Sequence, residues 1–268
     1  MRARSTYKYS FPRFGTLTKS NSLPNNGSAF RNPEYGIDAG HRHRRCYDRL
    51  VGACGIHCMK LLLVGASGLV GQQVLALALA ERSVGRLIAP TRKPLAAAPG
   101  LENPQVDFDR LPQGADWWNV DAVICTLGTT MALAGSQAAF RRVDHDYPLA
   151  VARLARAAGA GAFALNSALG ADANSRVFYN RVKGEAEAAI AALGYPSLTL
   201  VRPSLLDGGP RPDNRPGEHL GLWIAKTFRP LVPARYRAVA TEAVARALLA
   251  AALRREPGVH FVESEHIT

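Results

Sequence analysis

Acids and cysteines are scarce in this chain, and long apolar runs are absent. Of 268 residues, 21 are Asp or Glu against 33 Lys or Arg, and only 4 are Cys. So few cysteines exclude a disulfide-stapled secreted scaffold. No uninterrupted apolar run approaches the roughly 18 residues of a membrane-spanning helix, since the best, Leu61 to Gly71, stops at Gln72 and Gln73. What is present is a hydrophobic share of 47% with 20% charged residues. That excludes a wholly disordered or fibrous chain and suffices for one sizeable core. The expectation is a soluble protein with no membrane partner.

The charge surplus of +12 would ordinarily suggest a nucleic-acid partner, but its placement does not. Residues 1–58 hold ten basic and three acidic side chains, leaving only +5 for the rest of the chain. A mildly basic body suits a phosphorylated ligand, and no nucleic acid is expected. The first 58 residues mix Ser, Asn, Gly, Pro and Arg without helical or strand periodicity, which reads as a disordered basic tail or as a start assigned upstream of Met59. The tail has no acid before Glu34, as in an organellar transit peptide, and no apolar leader. Cys46, Cys54 and Cys58 lie there near His41, His43 and His57, but their spacings lack the paired C-x2-C form of a zinc motif; no metal is expected. Cys125, inside an apolar run, fits a buried thiol in a reducing compartment, and hence a cytoplasmic protein.

From Met59 short apolar runs alternate with Ala-, Leu- and Arg-rich helical stretches. The pattern predicts strands over 60–64, 86–89, 105–108, 122–126, 162–165, 197–202 and 259–262, with helices including 68–82, 148–158 and 180–193. Strand and helix alternating through short connections give an α/β fold with a doubly wound parallel sheet. The Gly-, Pro- and Arg-rich segment 207–233, with Trp223 and Phe228, reads as a small C-terminal substrate lobe. Its Arg211, Arg215 and His219 read as solvated surface residues. Trp117 and Trp118 are expected to pack over the rim of the sheet.

Directly after the first strand stands Gly65-Ala66-Ser67-Gly68-Leu69-Val70-Gly71. In such a loop the first glycine permits the turn, the second admits a pyrophosphate, the third lets helix and strand pack closely, and the helix N–H groups face the phosphates. At the end of the second strand, where an acid would bind the ribose of NAD, the sequence reads Pro90-Thr91-Arg92-Lys93. An Arg there suits a 2′-phosphate, so NADP(H) is expected and NAD(H) is disfavoured.

Tyr179 and Lys183 stand one helical turn apart, and no other tyrosine has a lysine four residues on. An ammonium beside a phenol favours the phenolate and makes it an acid or base for a carbonyl and alcohol pair. Ser167, just after the fifth strand, adds a hydroxyl on the edge where open α/β sheets bind ligands.

These motifs, with Cys125-Thr126-Leu127-Gly128-Thr129-Thr130, Asn166-Ser167-Ala168-Leu169-Gly170-Ala171-Asp172, Phe178 to Glu185 and Val201-Arg202-Pro203-Ser204, resemble the short-chain dehydrogenase/reductases over 59–268. Within that family they are similar to the atypical members that include the Tat-interacting oxidoreductase and its short bacterial relatives. The resemblance implies a Rossmann fold binding NADP(H), with Tyr179 as proton donor or acceptor. It further implies Lys183 on the nicotinamide ribose, Ser167 orienting substrate, Leu127 and Gly128 lining that ribose, Asp109 near the adenine and Pro203 at the nicotinamide. The chain departs from the family at Ala168, where a second serine is common. The reading is an oxidoreductase acting on a small carbonyl or alcohol. The alternatives are an NADP-binding regulatory or interaction protein without turnover, and an epimerase using bound cofactor.

Overall fold

The computed structural model describes residues 58–207 and 233–268. The expected tail up to His57, and the expected lobe between Asp207 and Pro233 with Arg211, Arg215, His219, Trp223 and Phe228, lie outside the described residues.

Continuous apolar runs build the centre. Strand β1 (Met59–Val64) is apolar at nearly every position because both faces of a parallel sheet are covered. It pairs in parallel with β2 (Val84–Ile88) on one side and β4 (Ala122–Cys125) on the other. Beyond β4 follow β5 (Ala162–Asn166), β6 (Ser197–Arg202) and β9 (Gly258–Glu263), and beyond β2 lies the two-residue β3 (Leu101–Glu102). The seven strands, all parallel, run β3-β2-β1-β4-β5-β6-β9. Two further short strands, β7 (Leu206–Asp207) and β8 (Val239–Ala240), pair with each other.

Helices cover both faces, as right-handed crossovers require. On one face α1 (Leu69–Ala80) and α6 (Thr241–Arg254) bury Val70, Val74, Val244, Leu248 and Ala252 against Leu61, Leu63, Ile124 and Val201. On the other, α4 (Tyr147–Ala157) and α5 (Phe178–Ala191) bury Val151, Ala155 and Ile190 against Leu62, Val64, Phe163 and Leu200. Each large aliphatic side chain buried in this way stabilises the fold by roughly 1.5–3 kcal/mol. Pro148 opens α4, where its missing N–H costs nothing. The short helices α2 (Met131–Ala134) and α3 (Gln137–Arg141) precede one π turn, Arg142–Asp146, that runs straight into α4. Among the described residues no helix is long and apolar enough to cross a membrane.

The third strand is not where the apolar residues of 105–108 suggested. Pairing with β2 forms at Leu87↔Leu101 and Ile88↔Glu102, lapses, and returns only as a single bridge between Thr91 and Gln105. Pro90 and Pro104 interrupt the ladder because neither has an N–H to donate. Between them Asn103 donates to the Ala89 carbonyl and the Thr91 hydroxyl, while the Arg86 guanidinium grips Glu102 at 2.7 Å. Trp118 is buried as expected, its indole N–H donating to the Pro112 carbonyl at 2.7 Å.

Candidate active site

Parallel strands end together, so the loops leaving their C-terminal ends share one edge, and a cleft forms where the crossovers diverge. Here that divergence lies between β1 and β4. Gly65, at φ +89°, turns the chain out of β1 in a conformation that L side chains avoid. A Cβ on it would lie 2.7 Å from the Thr126 carbonyl carbon and 2.8 Å from the Leu127 nitrogen, so the β1 and β4 loops touch. The Thr126 amide and hydroxyl both donate to the Val64 carbonyl and fasten this contact. A Cβ on Gly71 would lie 2.0 Å from the Gly65 carbonyl oxygen, which shows how closely α1 packs under its own loop. Ala66 and Val70 are buried as packing, whereas Ser67, Gly68 and Leu69 are exposed at the mouth. Gly68 begins α1 with no side-chain cap, and the first turn carries no acid. Such a helix start leaves N–H groups and a positive dipole end for an anion. The cradle therefore fits a pyrophosphate.

Arg92 and Lys93 stand exposed after β2, on the same edge. Asp109 is also exposed and lies 3.9 Å from Arg142. The Tyr147 phenol, pushed up by partial burial and then by its hydrogen bond to Asp109, ties that acid to α4. Leu127 is half-buried, Gly128 is exposed, and Pro203 is buried just after β6.

Tyr179 and Lys183 share a face of α5, as their spacing predicted. The Tyr179 ring is half-buried, its centroid 5.4 Å from that of Phe140. Lys183 is only 6% exposed and its ammonium lies 2.8 Å from the Asp144 carboxylate, a residue 2% exposed. Burial opposes the lysine's charge, but Asp144, with Tyr179 beside it, outweighs that cost and holds the Lys183 pKa above the ordinary value. The other Asp144 oxygen accepts from the Thr129 N–H at 2.9 Å. A Cβ on Gly128 would sit 3.3 Å from Asp144 and 3.6 Å from the Lys183 nitrogen, so the Gly128 backbone lies directly against the pair. Gly184, next along α5, has no room for a Cβ against Asp172 and Ala173, which lets the loop after β5 lie on the helix.

Ser167 reaches this face of the sheet, but its hydroxyl donates at 2.5 Å to Glu187, one turn beyond Lys183, rather than standing free for substrate. Arg202 holds Glu187 through two hydrogen bonds and reaches Glu263 at 3.0 Å, with its guanidinium 4.5 Å above the Phe261 ring. Ala168 is buried. The site thus gathers the Gly65 to Gly71 loop, Leu127, Gly128, Tyr179, Lys183 and Pro203 on one edge, and directs Ser167 into a buried brace.

Asp144 was absent from the sequence reading. The signal that marks it is an acid on an apolar stripe: Phe140, Asp144, Pro148 and Val151 are all buried at helical intervals. Glu187, on the stripe of Lys183 and Ile190, carries the same signal. Among the described residues no cluster of metal-ligating side chains occurs; Cys46 and Cys54 lie outside them.

No family model matches the chain. It is 35% identical over 197 residues to the protein HTATIP2 of Rattus norvegicus, covering 70% of this chain and 79% of the relative. It is 33% identical over 171 residues to the fmp52 protein of Emericella nidulans, covering 61% and 73%. Among solved structures, an oxidoreductase of the short-chain dehydrogenase/reductase family from Burkholderia thailandensis superposes with a TM-score of 0.59 at 18% identity, over 78% of this chain and 92% of that one. MoeE5 in complex with UDP-glucuronic acid and NAD superposes with a TM-score of 0.58 at 18% identity, over 76% of each chain. The cytoplasmic assignment is corrected by these relatives. Several fungal members are named as mitochondrial proteins, and a lone buried thiol distinguishes a reducing interior without saying which organelle encloses it. With its parallel sheet, glycine loop and Tyr179–Lys183 pair, and with these relatives, the chain belongs to the atypical short-chain dehydrogenase/reductases, the family of HTATIP2 and FMP52.

Proposed function

We propose that the protein is an NADP(H)-dependent oxidoreductase that moves hydride to or from a small carbonyl or alcohol substrate. The observation that carries this reading is the buried Lys183–Asp144 pair one turn from the half-buried Tyr179 and packed against Gly128 of the loop after β4. A buried ion pair costs desolvation, and a pure cofactor binder has no chemical need of one beside a phenol. Gly65 to Gly71 would hold the pyrophosphate, Arg92 the 2′-phosphate, Leu127, Gly128 and Lys183 the nicotinamide-side ribose, and Pro203 the ring face. NAD in solved structures of the same fold supports a nicotinamide dinucleotide, and the basic Arg92-Lys93 end of β2 favours NADP.

When bound, the nicotinamide supplies or accepts the hydride at the substrate carbon. In reduction the Tyr179 hydroxyl gives its proton to the carbonyl oxygen and is left as phenolate, which the Lys183 ammonium offsets. In oxidation the phenolate takes the alcohol proton. Asp144 keeps the ammonium in place against Gly128.

Titration of the purified protein with NADPH and NADH, followed by a panel of carbonyl substrates, tests this. Tyr179→Phe should lower kcat by about 10²-fold or more while leaving the NADPH Kd unchanged; turnover that survives the substitution defeats the mechanism. A second reading, a cofactor-sensing protein without turnover, is favoured by the commitment of Ser167 to Glu187 and by Ala168. It predicts tight NADPH binding and no consumption with any substrate.

A further inference from the structure

The pair described above contains one charge more than proton transfer needs. Lys183 alone supplies the ammonium beside Tyr179, yet a second, almost fully buried group, Asp144, lies against it at 2.8 Å. The groups facing Lys183 are Asp144 from the π turn, Tyr179 from α5 and Cys125 from β4. The Cys125 thiol is pushed up to about 12 by its complete burial, so it carries no charge at working pH. The formal charge beneath Gly128 is therefore zero with Asp144 and +1 without it.

We propose that Asp144 is the residue that sets which redox form of the dinucleotide the site prefers. The inference rests on the reading of the cleft as a nicotinamide dinucleotide site. An oxidised nicotinamide ring is cationic and a reduced one is neutral, so the two forms differ chiefly in how they respond to nearby charge. A floor bearing a lone Lys183 ammonium would repel the oxidised ring and leave the reduced ring unaffected. By neutralising that ammonium, Asp144 keeps the oxidised form bindable and the site able to run in either direction. Its position is fixed from both sides, by Lys183 and by the Thr129 N–H at 2.9 Å, so the counter-charge cannot swing away. The role needs a carboxylate. An amide would keep the acceptor for the Thr129 N–H and lose both the charge and the oxygen that faces Lys183.

The test is equilibrium binding by the full chain, with NADP+ and NADPH titrated separately and the ratio of their dissociation constants as the readout. For Asp144→Asn, measured at about pH 6.5 so that a desolvated ammonium keeps its proton, the ratio Kd(NADP+)/Kd(NADPH) should rise. Unmasking one unit charge in a site of effective dielectric about 20 should raise the ratio by roughly tenfold. For Lys183→Met, measured at about pH 8.5 so that the lone carboxylate stays ionised, the ratio should fall below that of the unsubstituted protein at the same pH. A purely structural role would weaken both forms in step, so an unchanged ratio in either folded variant overturns the proposal. If the unsubstituted protein binds neither dinucleotide, the cofactor reading itself fails. If it binds both and the ratio does not move, only the role of Asp144 fails.

Discussion

Gly71→Ala is the sharpest test of the cradle, because the space it would fill is occupied by the backbone of Gly65 and Ala66. An added Cβ meets the Gly65 oxygen at 2.0 Å, the Gly65 carbonyl carbon at 2.7 Å and the Ala66 Cα at 2.9 Å, where ordinary contact begins at 3.4 Å. Relief requires α1 and its loop to part by more than 1 Å, since no side chain can swing aside. Overpacking of this kind costs typically about 1–3 kcal/mol, and a rigid backbone obstacle places it at the upper end. The greater helix propensity of alanine returns up to about 1 kcal/mol. The net loss should be about 2 kcal/mol, which in a domain of this size lowers Tm by about 4–8 °C. The assay is urea or thermal unfolding of the variant, with NADPH titration alongside. Gly68→Ala is the matched control. Its Cβ approaches only the Gly65 oxygen, at 3.3 Å, so stability should hold to within about 0.5 kcal/mol while NADPH affinity falls, because the methyl stands where phosphate reaches the exposed helix start. A Gly71→Ala protein as stable as its parent, or a Gly68→Ala protein with unchanged affinity, would refute the account of the loop.

Arg92→Ala should weaken NADPH about tenfold, the value of a lost charge-assisted contact, and leave NADH untouched; equal losses for both would remove the 2′-phosphate argument. Cys125 gives a pH signature. Its folded pKa of about 12 lies above the unfolded value of about 8.5, so its contribution is complete below about pH 8.5 and declines as pH rises towards 12. Roughly 2 kcal/mol should be lost between about pH 8.5 and 10. Denaturant unfolding across that range should show the slope in the parent and a flatter one in Cys125→Ala; identical slopes would mean the thiol is not buried as described. Arg202→Met leaves Glu187 buried without its cationic partner and should cost about 3 kcal/mol or more in urea unfolding. Adding Glu187→Leu should recover much of that, and a double variant no better than the single would show that the two residues do not act as a pair.

The sequence reading was most accurate where one local cause dominated. An apolar run followed by a glycine turn leaves β1 and α1 little choice, and the Tyr179 to Lys183 spacing works on any helix. It failed where partners distant in sequence decided the outcome. The outer strand moved from 105–108 to Leu101–Glu102 because two prolines and the Asn103 side chain interrupt the ladder and Arg86 draws in Glu102, competition that alternation of apolar residues does not register. Ser167 occupies the expected place just after β5, and spacing did not reveal that its hydroxyl donates to Glu187, 20 residues away. Asp144 was missed because an acid on an apolar stripe takes its meaning from a partner, here Lys183 on α5, which the spacing along its own helix does not reveal.

One stripe of α5 explains why the proposed chemistry rests on a single residue. Tyr179, Lys183 and Glu187 follow one another at four-residue intervals, so phenol, ammonium and carboxylate descend the same face from the mouth of the cleft into the sheet. A charge carried inwards on such a face must meet a partner or lose its ionisation, and each does. Lys183 meets Asp144 from the π turn, while Glu187 meets Arg202 from β6 and the hydroxyl of Ser167 from the loop after β5. Three elements thus supply the complements that let α5 dock without unpaired charge. These same pairings spend the acceptor capacity of Glu187 on the protein itself and anchor the Lys183 ammonium through Asp144. The phenol at the top, half-buried against Phe140, is the one member of the stripe positioned to exchange a proton with a ligand.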